Sequence, residues 1–332
     1  MKLRVKGRTV ALPLGVLLLC GGYGAASAEE PVEERRPRVE LGVGAWISSG
    51  ETKWAHNASS VAGLGNPTSK LTYKDVGTNV LELSGKYWFD SRGFVRLTMG
   101  GAAIGGGRLT DDDYGTGGLF SRTYSDISGK NMWYLNADVG RRVKEFANHR
   151  GYLDVFGGYQ YWYTQYTADG VGQVVCNPNA IPGLTCSAAG TVSNQGRTVI
   201  TNTANWHSLR AGLSTEYRLT RRFSIQGTAA FIPFSIIDNK DIHHLRTTGP
   251  GALQQNPSIS MFGYAIGADA DVGARLMIVK NFYANVGYRV WWNYAYDGNT
   301  TFYSAGGSTS EFPLAQFQSF RHGLTFGLNY SF

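Results

Sequence analysis

Two short acidic motifs carry residue types that can hydrolyse a bond without a metal or a covalent nucleophile. One is Asp111-Asp112-Asp113-Tyr114, which follows the run Gly105-Gly106-Gly107; the other is Asp238-Asn239-Lys240-Asp241-Ile242-His243-His244. In extended backbone, residues two apart point to the same side. Asp111 and Asp113 then present two carboxylates to one face, and Asp241 and His243 present an acid beside an imidazole. A carboxylate beside an imidazole orients the ring and raises its basicity, so the ring takes a proton from water near neutral pH. A close carboxylate pair holds that water, or shares a proton that later serves a leaving group. Each motif has an ordinary reading when taken alone. Acidic loops are often solvated or bind calcium, and surface histidines are weak ligands for transition metals.

The elements that must position these residues are strands. The chain ends Leu324-Thr325-Phe326-Gly327-Leu328-Asn329-Tyr330-Ser331-Phe332, with an apolar face, a small polar face and a terminal aromatic. A transmembrane barrel strand reads this way. The same alternation recurs upstream: Leu81, Leu83, Tyr87 and Phe89 oppose Glu82, Ser84, Lys86 and Trp88, and Leu209, Leu213 and Tyr217 oppose Arg210, Ser214 and Glu216. The pattern predicts an all-β fold, a ten-stranded antiparallel barrel with four short periplasmic turns at residues 90–93, 148–151, 220–222 and 280–281. Long polar loops near 49–69, 108–130, 167–198, 238–258 and 297–316 are then extracellular. An even strand count closes the sheet and leaves no edge in lipid. Inward charges such as Glu82, Lys86, Asp138, Arg210, Asp269, Asp271, Arg275 and Arg289 must pair or meet water. A barrel this narrow fills its interior with side chains and forms no wide pore.

Composition supports the same compartment. Residues 1–28 read as a secretory signal peptide: basic Lys2, Arg4, Lys6 and Arg8, an apolar run from Val10 to Cys20, and the small residues Ala26-Ser27-Ala28. Residues 29–332 form the barrel domain. Four of the 31 Lys and Arg residues sit in the signal, so the barrel is near neutral and nucleic acid is not an expected partner. No later segment approaches the ~20 apolar residues that a membrane helix requires. Cys176 and Cys186 share one polar stretch, and in an oxidising compartment they are expected to form a disulfide. His56, His149, His207 and His322 have no acid at a diagnostic spacing and read as loop or wall residues. Trp133, Trp162, Trp291 and Trp292 read as interface girdles or plug packing.

Taken together, the chain resembles the omptins, a family of ten-stranded outer-membrane proteases. The resemblance rests on Asp111-Asp112-Asp113-Tyr114 after a Gly-rich third strand and Asp241-Ile242-His243 in the fourth long loop. Ser49-Gly50-Glu51-Thr52-Lys53 after the first strand and the terminal Phe332 also fit. It implies an endopeptidase in which His243 and Asp241 activate water, while Asp111 and Asp113 bind it and steady the tetrahedral intermediate. It also implies no metal, activation by lipopolysaccharide, a monomer, extracellular peptide or protein substrates, and insertion by the barrel assembly machinery through Phe332. Omptins that cleave between basic residues place acids at two pocket positions. Here the first is Trp54, with Glu51 three residues earlier, and the second is Asn239 or Asp238. These four are the expected substrate-binding residues. The alternative function is a non-enzymatic barrel that acts as an adhesin or structural protein through its loops. A lipid hydrolase would need a Ser-His pair facing lipid, which the sequence does not offer.

Overall fold

The computed structural model describes residues 38–249 and 251–332. Residues 1–28, expected to be a signal peptide, and residues 29–37 lie outside them. Eleven strands make one antiparallel sheet: β1 (Val39–His56), β2 (Leu64–Trp88), β3 (Gly93–Gly115), β4 (Gly118–Gly129), β5 (Asn131–Phe146), β6 (Gly151–Cys176), β7 (Val192–Arg218), β8 (Phe223–His243), β9 (Ile259–Val279), β10 (Phe282–Tyr303) and β11 (Thr309–Ser331). β1 pairs with β2 on one side and β11 on the other, Val43 lying between Leu83 and Leu328, so the sheet closes on itself.

β4 and β5 share one position in the ring. β4 pairs with the last third of β3 and of β6, while β5 pairs with their earlier residues. Lys130, in left-handed backbone at φ 94°, breaks the ladder between them. Ten positions therefore run round the barrel, and the eleventh segment comes from residues that the sequence reading assigned to a loop.

The short turns are made by local side chains. The Asp90 carboxylate accepts from the backbone N–H of Arg92 at 2.6 Å, and the Thr220 hydroxyl accepts from that of Phe223 at 3.0 Å. Asn281 takes φ 65° between β9 and β10, a conformation that asparagine tolerates.

At the opposite end the connections between β6 and β7 and between β8 and β9 are long as expected, but strands take up much of what the sequence assigned to loops. β7 has 27 residues and β6 has 26, where about 9–11 tilted residues cross a bilayer. The strands run far past the apolar zone. Outward Leu41, Val43 and Ile47 on β1, Leu81 and Leu83 on β2, Val95, Leu97 and Met99 on β3, and Leu324, Phe326 and Leu328 on β11 form that zone. Further along, the outer face carries the Glu51–Lys53 ion pair at 2.5 Å, then Lys70, Lys74 and Arg108. Beyond lipid neither face needs to be apolar, so period-two hydrophobicity disappears although the strand continues.

The interior is packed. Trp46, Tyr134 and Trp162 close on Trp291 with ring centroids 4.9, 4.7 and 5.5 Å away. Trp133 and Trp292 face outward instead, beside Tyr161 and Tyr294. Below the tryptophans the inward charges pair as expected. Asp154 takes Lys86 and Arg142, Asp138 takes Arg96 and Arg210, Arg289 takes Glu82 and Asp271, and Arg275 takes Glu40 and Glu216.

Candidate active site

The extended strands, rather than loops, carry the residues singled out by the sequence. On the β1–β2–β3 wall, ladder pairing sets three inward rows. The lowest is Thr52–Tyr73–Leu109, the next Trp54–Leu71–Asp111, and the top one His56–Ser69–Asp113. Directly opposed residues in a ladder lie about 4.5–5.5 Å apart and share a face. Asp111 and Asp113 therefore point into the barrel in adjacent rows, and Asp112 between them points outward onto Arg122 at 2.5 Å.

On the far wall, Asp241 is aligned with Asn202 of β7 and Tyr166 of β6. Tyr166 stacks on Tyr73 with centroids 5.2 Å apart, which links the two walls across the lumen. Asp241 is fully buried behind the His243 imidazole, and the two meet at 3.9 Å, Nε2 to Oδ2. The Ser258 hydroxyl fixes the motif, accepting from the His243 backbone N–H at 2.9 Å and donating to the Gln254 carbonyl at 2.6 Å. Gln255 Nε2 donates to the His243 carbonyl at 3.2 Å. His244 faces away, with Nε2 2.9 Å from the Thr201 hydroxyl.

The site lies well beyond the apolar zone. Asp111 is aligned with Leu71, ten residues along β2 from outward Leu81. Charge couples its two walls. Burial pushes the Asp111 carboxyl well above its ordinary value, and the nearby Asp113 and Asp241 charges push it further. Burial also raises Asp113, against a Ser69 hydrogen bond and the Arg246 guanidinium, and raises Asp241 to about 7. His243 is pushed down to about 3, first by burial and then by Arg246, His244 and His56. The imidazole is thus neutral at rest, with a free ring nitrogen.

Several polar atoms here are buried and lack a hydrogen-bond partner among the described residues: both Asp241 oxygens, His243 Nε2, Trp54 Nε1, Tyr73 Oη and His56 Nδ1. The Trp54 indole N–H stands near both the Tyr73 hydroxyl and the Asp241 carboxylate, easing each toward its ionised form without closing a full hydrogen bond. Such a set of donors and acceptors is arranged to receive a polar guest.

The expected substrate-binding residues divide by alternation. Trp54 and Asn239 point inward and are almost wholly buried, Asn239 exchanging hydrogen bonds with Asn202 at 3.1 and 3.2 Å. Glu51 and Asp238 do not face the cleft. Glu51 lies an odd number of residues from inward Thr52 and Trp54 and bonds Lys53 on the outer wall. Asp238 lies next to inward Ile237 and Asn239 and takes the opposite face.

His56 corrects the reading of it as a loop or wall residue. It is buried inside, 4.8 Å from the Phe302 ring, and burial and Arg246 lower it to about 4. Nothing local in the sequence marked it; only the ladder places it in the row of Asp113. His207 and His322 do sit on the outer wall, bonded to Tyr159 and Tyr288, and His149 sits in a turn. The Cys176–Cys186 disulfide is formed.

No family model matches the chain, and no curated protein matches it. Among solved structures, it is similar to the outer membrane protease OmpT from Escherichia coli, with 16% identity and a TM-score of 0.69 over 89% of this chain and 96% of that one. A FadL homologue from Pseudomonas aeruginosa (7% identity, TM-score 0.32, 89% and 90% covered) aligns far less well. So does Ail, the attachment invasion locus protein of Yersinia pestis (9%, 0.28, 88% and 98%). The likeness to OmpT establishes the fold, that of a bacterial outer-membrane barrel.

Proposed function

We propose that the protein is an omptin-like outer-membrane endopeptidase whose cleft opens to the cell exterior. One observation carries the reading. Asp111, Asp113, Asp241 and His243, recognised from two separate motifs, converge from opposite walls on a single cleft above the lipid-facing zone. In this mechanism a water molecule lies between the walls, held by Asp111 and Asp113. The His243 imidazole takes its proton as the oxygen attacks the peptide carbonyl, and Asp241, which faces Nε2, steadies the imidazolium that results. The same imidazolium then protonates the departing amine. Burial and the neighbouring Asp113 and Asp241 charges shift the Asp111 carboxyl toward its protonated form, which lessens repulsion as negative charge develops on the carbonyl oxygen.

Extracellular peptides or proteins are the proposed substrates, with lipopolysaccharide as activating lipid on the basic outer wall. Residues Lys70, Lys74 and Arg108 supply positive charge there, above the apolar zone. Insertion through terminal Phe332 and a monomeric state complete the proposal. No metal enters the mechanism.

The test is direct. The barrel refolded with lipopolysaccharide should cleave an unbiased peptide library, and Asp111→Ala or His243→Ala should abolish cleavage. Activity that survives both substitutions removes the site. A wild-type barrel that cleaves nothing favours the adhesin alternative.

A further inference from the structure

The tetrahedral intermediate of peptide hydrolysis is an anion, and it would form here among three carboxylates. A water-excluded cleft of that kind needs donors aimed at the new charge. His243 receives the water proton, and Asp111 and Asp113 hold the attacking oxygen, so none of these is free to hold the carbonyl oxygen throughout the reaction. Two neutral donors stand close by, one in the Asp111 row and one in the row beneath it. Trp54 is 1% exposed and Tyr73 fully buried; Trp54 Nε1 stands near the Tyr73 hydroxyl and the Asp241 carboxylate, yet neither it nor Tyr73 Oη closes a full hydrogen bond among the described residues. Trp54 shares the Asp111 row, and Tyr73 stacks across the lumen on Tyr166, which shares the Asp241 row. Their N–H and O–H groups thus lie on the floor between the two catalytic walls.

We infer that Trp54 Nε1 and Tyr73 Oη form the oxyanion-binding pair of this site, an assignment that rests on the peptidase reading. A water lone pair forms the bond to the carbonyl carbon, and the water proton passes to the His243 imidazole. The carbonyl π pair moves onto its oxygen, which accepts hydrogen bonds from Trp54 N–H and Tyr73 O–H. That pair then returns to re-form the carbonyl, the carbon–nitrogen bond breaks, and the imidazolium proton goes to the nitrogen. Neutral donors suit this position. A second cation would pair permanently with Asp111 or Asp241, whereas an indole and a phenol strengthen their bonds only as charge grows on the oxygen.

The experiment compares Tyr73→Phe, Trp54→Phe and wild type on one peptide that wild type cleaves, with heat-modifiable electrophoretic mobility as the measure of folding. Tyr73→Phe keeps the ring stack and removes only the hydroxyl. The expected result is a folded barrel whose kcat falls on the order of 10²-fold while KM stays within about threefold, and a comparable fall in Trp54→Phe. A Tyr73→Phe enzyme with kcat within twofold of wild type overturns the assignment. So does a loss that appears only in KM, or a Tyr73→Phe barrel that no longer folds, since the hydroxyl would then serve binding or packing. If wild type cleaves no peptide in the library, the peptidase reading itself falls; the comparison of variants separates that result from failure of the donor pair alone.

Discussion

His243 is neutral for reasons that lie largely outside its own strand. Burial removes water from the ring, and Arg246 in the loop beyond adds a cation beside it, so the ring protonates only near pH 3. Asp241 moves the other way, its proton being held up to about 7. Catalysis needs Asp241 ionised to steady the imidazolium, so kcat/KM should rise with pH through about 7 and fall below it as the acid protonates. Asp241→Asn should remove that rise and cut kcat by up to about 10⁴-fold, as when a triad loses its orienting acid to an amide; a rise of the same shape in the variant would refute the assignment. Arg246→Gln tests the other half. Removing a cation that disfavours the second ring proton must move the His243 titration upward from about 3 toward the ordinary 6.5, which histidine-selective NMR would detect. An unmoved titration would mean that burial alone sets the value. The two acid-bearing motifs were legible because each places its groups two residues apart. His56 and Tyr73 were not, because each joins the site only through a ladder partner in another strand.

At the level of elements, the part of the fold that sequence misjudged is the part that carries the candidate site. Residues 108–130 and 238–243 read as loops because both faces are polar or small, yet they form β4 and the ends of β3 and β8. A strand above the lipid loses the contrast between its faces, and the contrast is the signal. What holds the β3–β4 hairpin in place was half visible as a cysteine pair. The disulfide folds residues 177–185 back so that Ala180 and Ile181 pack on Phe120 of β4, beside Leu64 and Cys186. Gly117 N–H donates to the Ala180 carbonyl at 3.2 Å, and Asn177 N–H to the Phe120 carbonyl at 2.8 Å. Gly115 lies so close to Ala180 that any side chain there would meet its carbonyl. The flap thus braces the hairpin that bears Asp111 and Asp113. Replacing both cysteines with serine should leave the closed barrel intact, expose residues 177–185 to trypsin-free proteolysis by a nonspecific protease, and lower kcat several-fold. Unchanged kcat with a cleaved flap would show that the hairpin holds itself.

Over the whole molecule, one cylinder serves two solvents. Its lower part has an apolar outside and a paired-charge inside; its upper part has a polar outside and encloses the buried acids and imidazole of the candidate site. The change can be followed along a single strand. On β2, outward Leu83 sits between Val43 and Met99, while outward Thr72 sits between Lys53 and Thr110. Inside the upper part, Asp241 and Asp111 are poised by burial, an arrangement that the lower part supports by tying its own charges into closed pairs rather than leaving a water-filled channel. Lipid contact, not strand geometry, then separates the halves, and an identical charge should discriminate between them. Leu83→Arg places a guanidinium in the middle of the apolar zone and should cost about 2–4 kcal/mol of barrel stability, whereas Thr72→Arg should cost about 0–1 kcal/mol. Equilibrium urea unfolding in phospholipid bilayers measures both. Equal costs would mean that the lipid boundary does not lie between these two residues, and the cleft would then have to be placed inside the membrane, where the proposed hydrolysis could not draw on water.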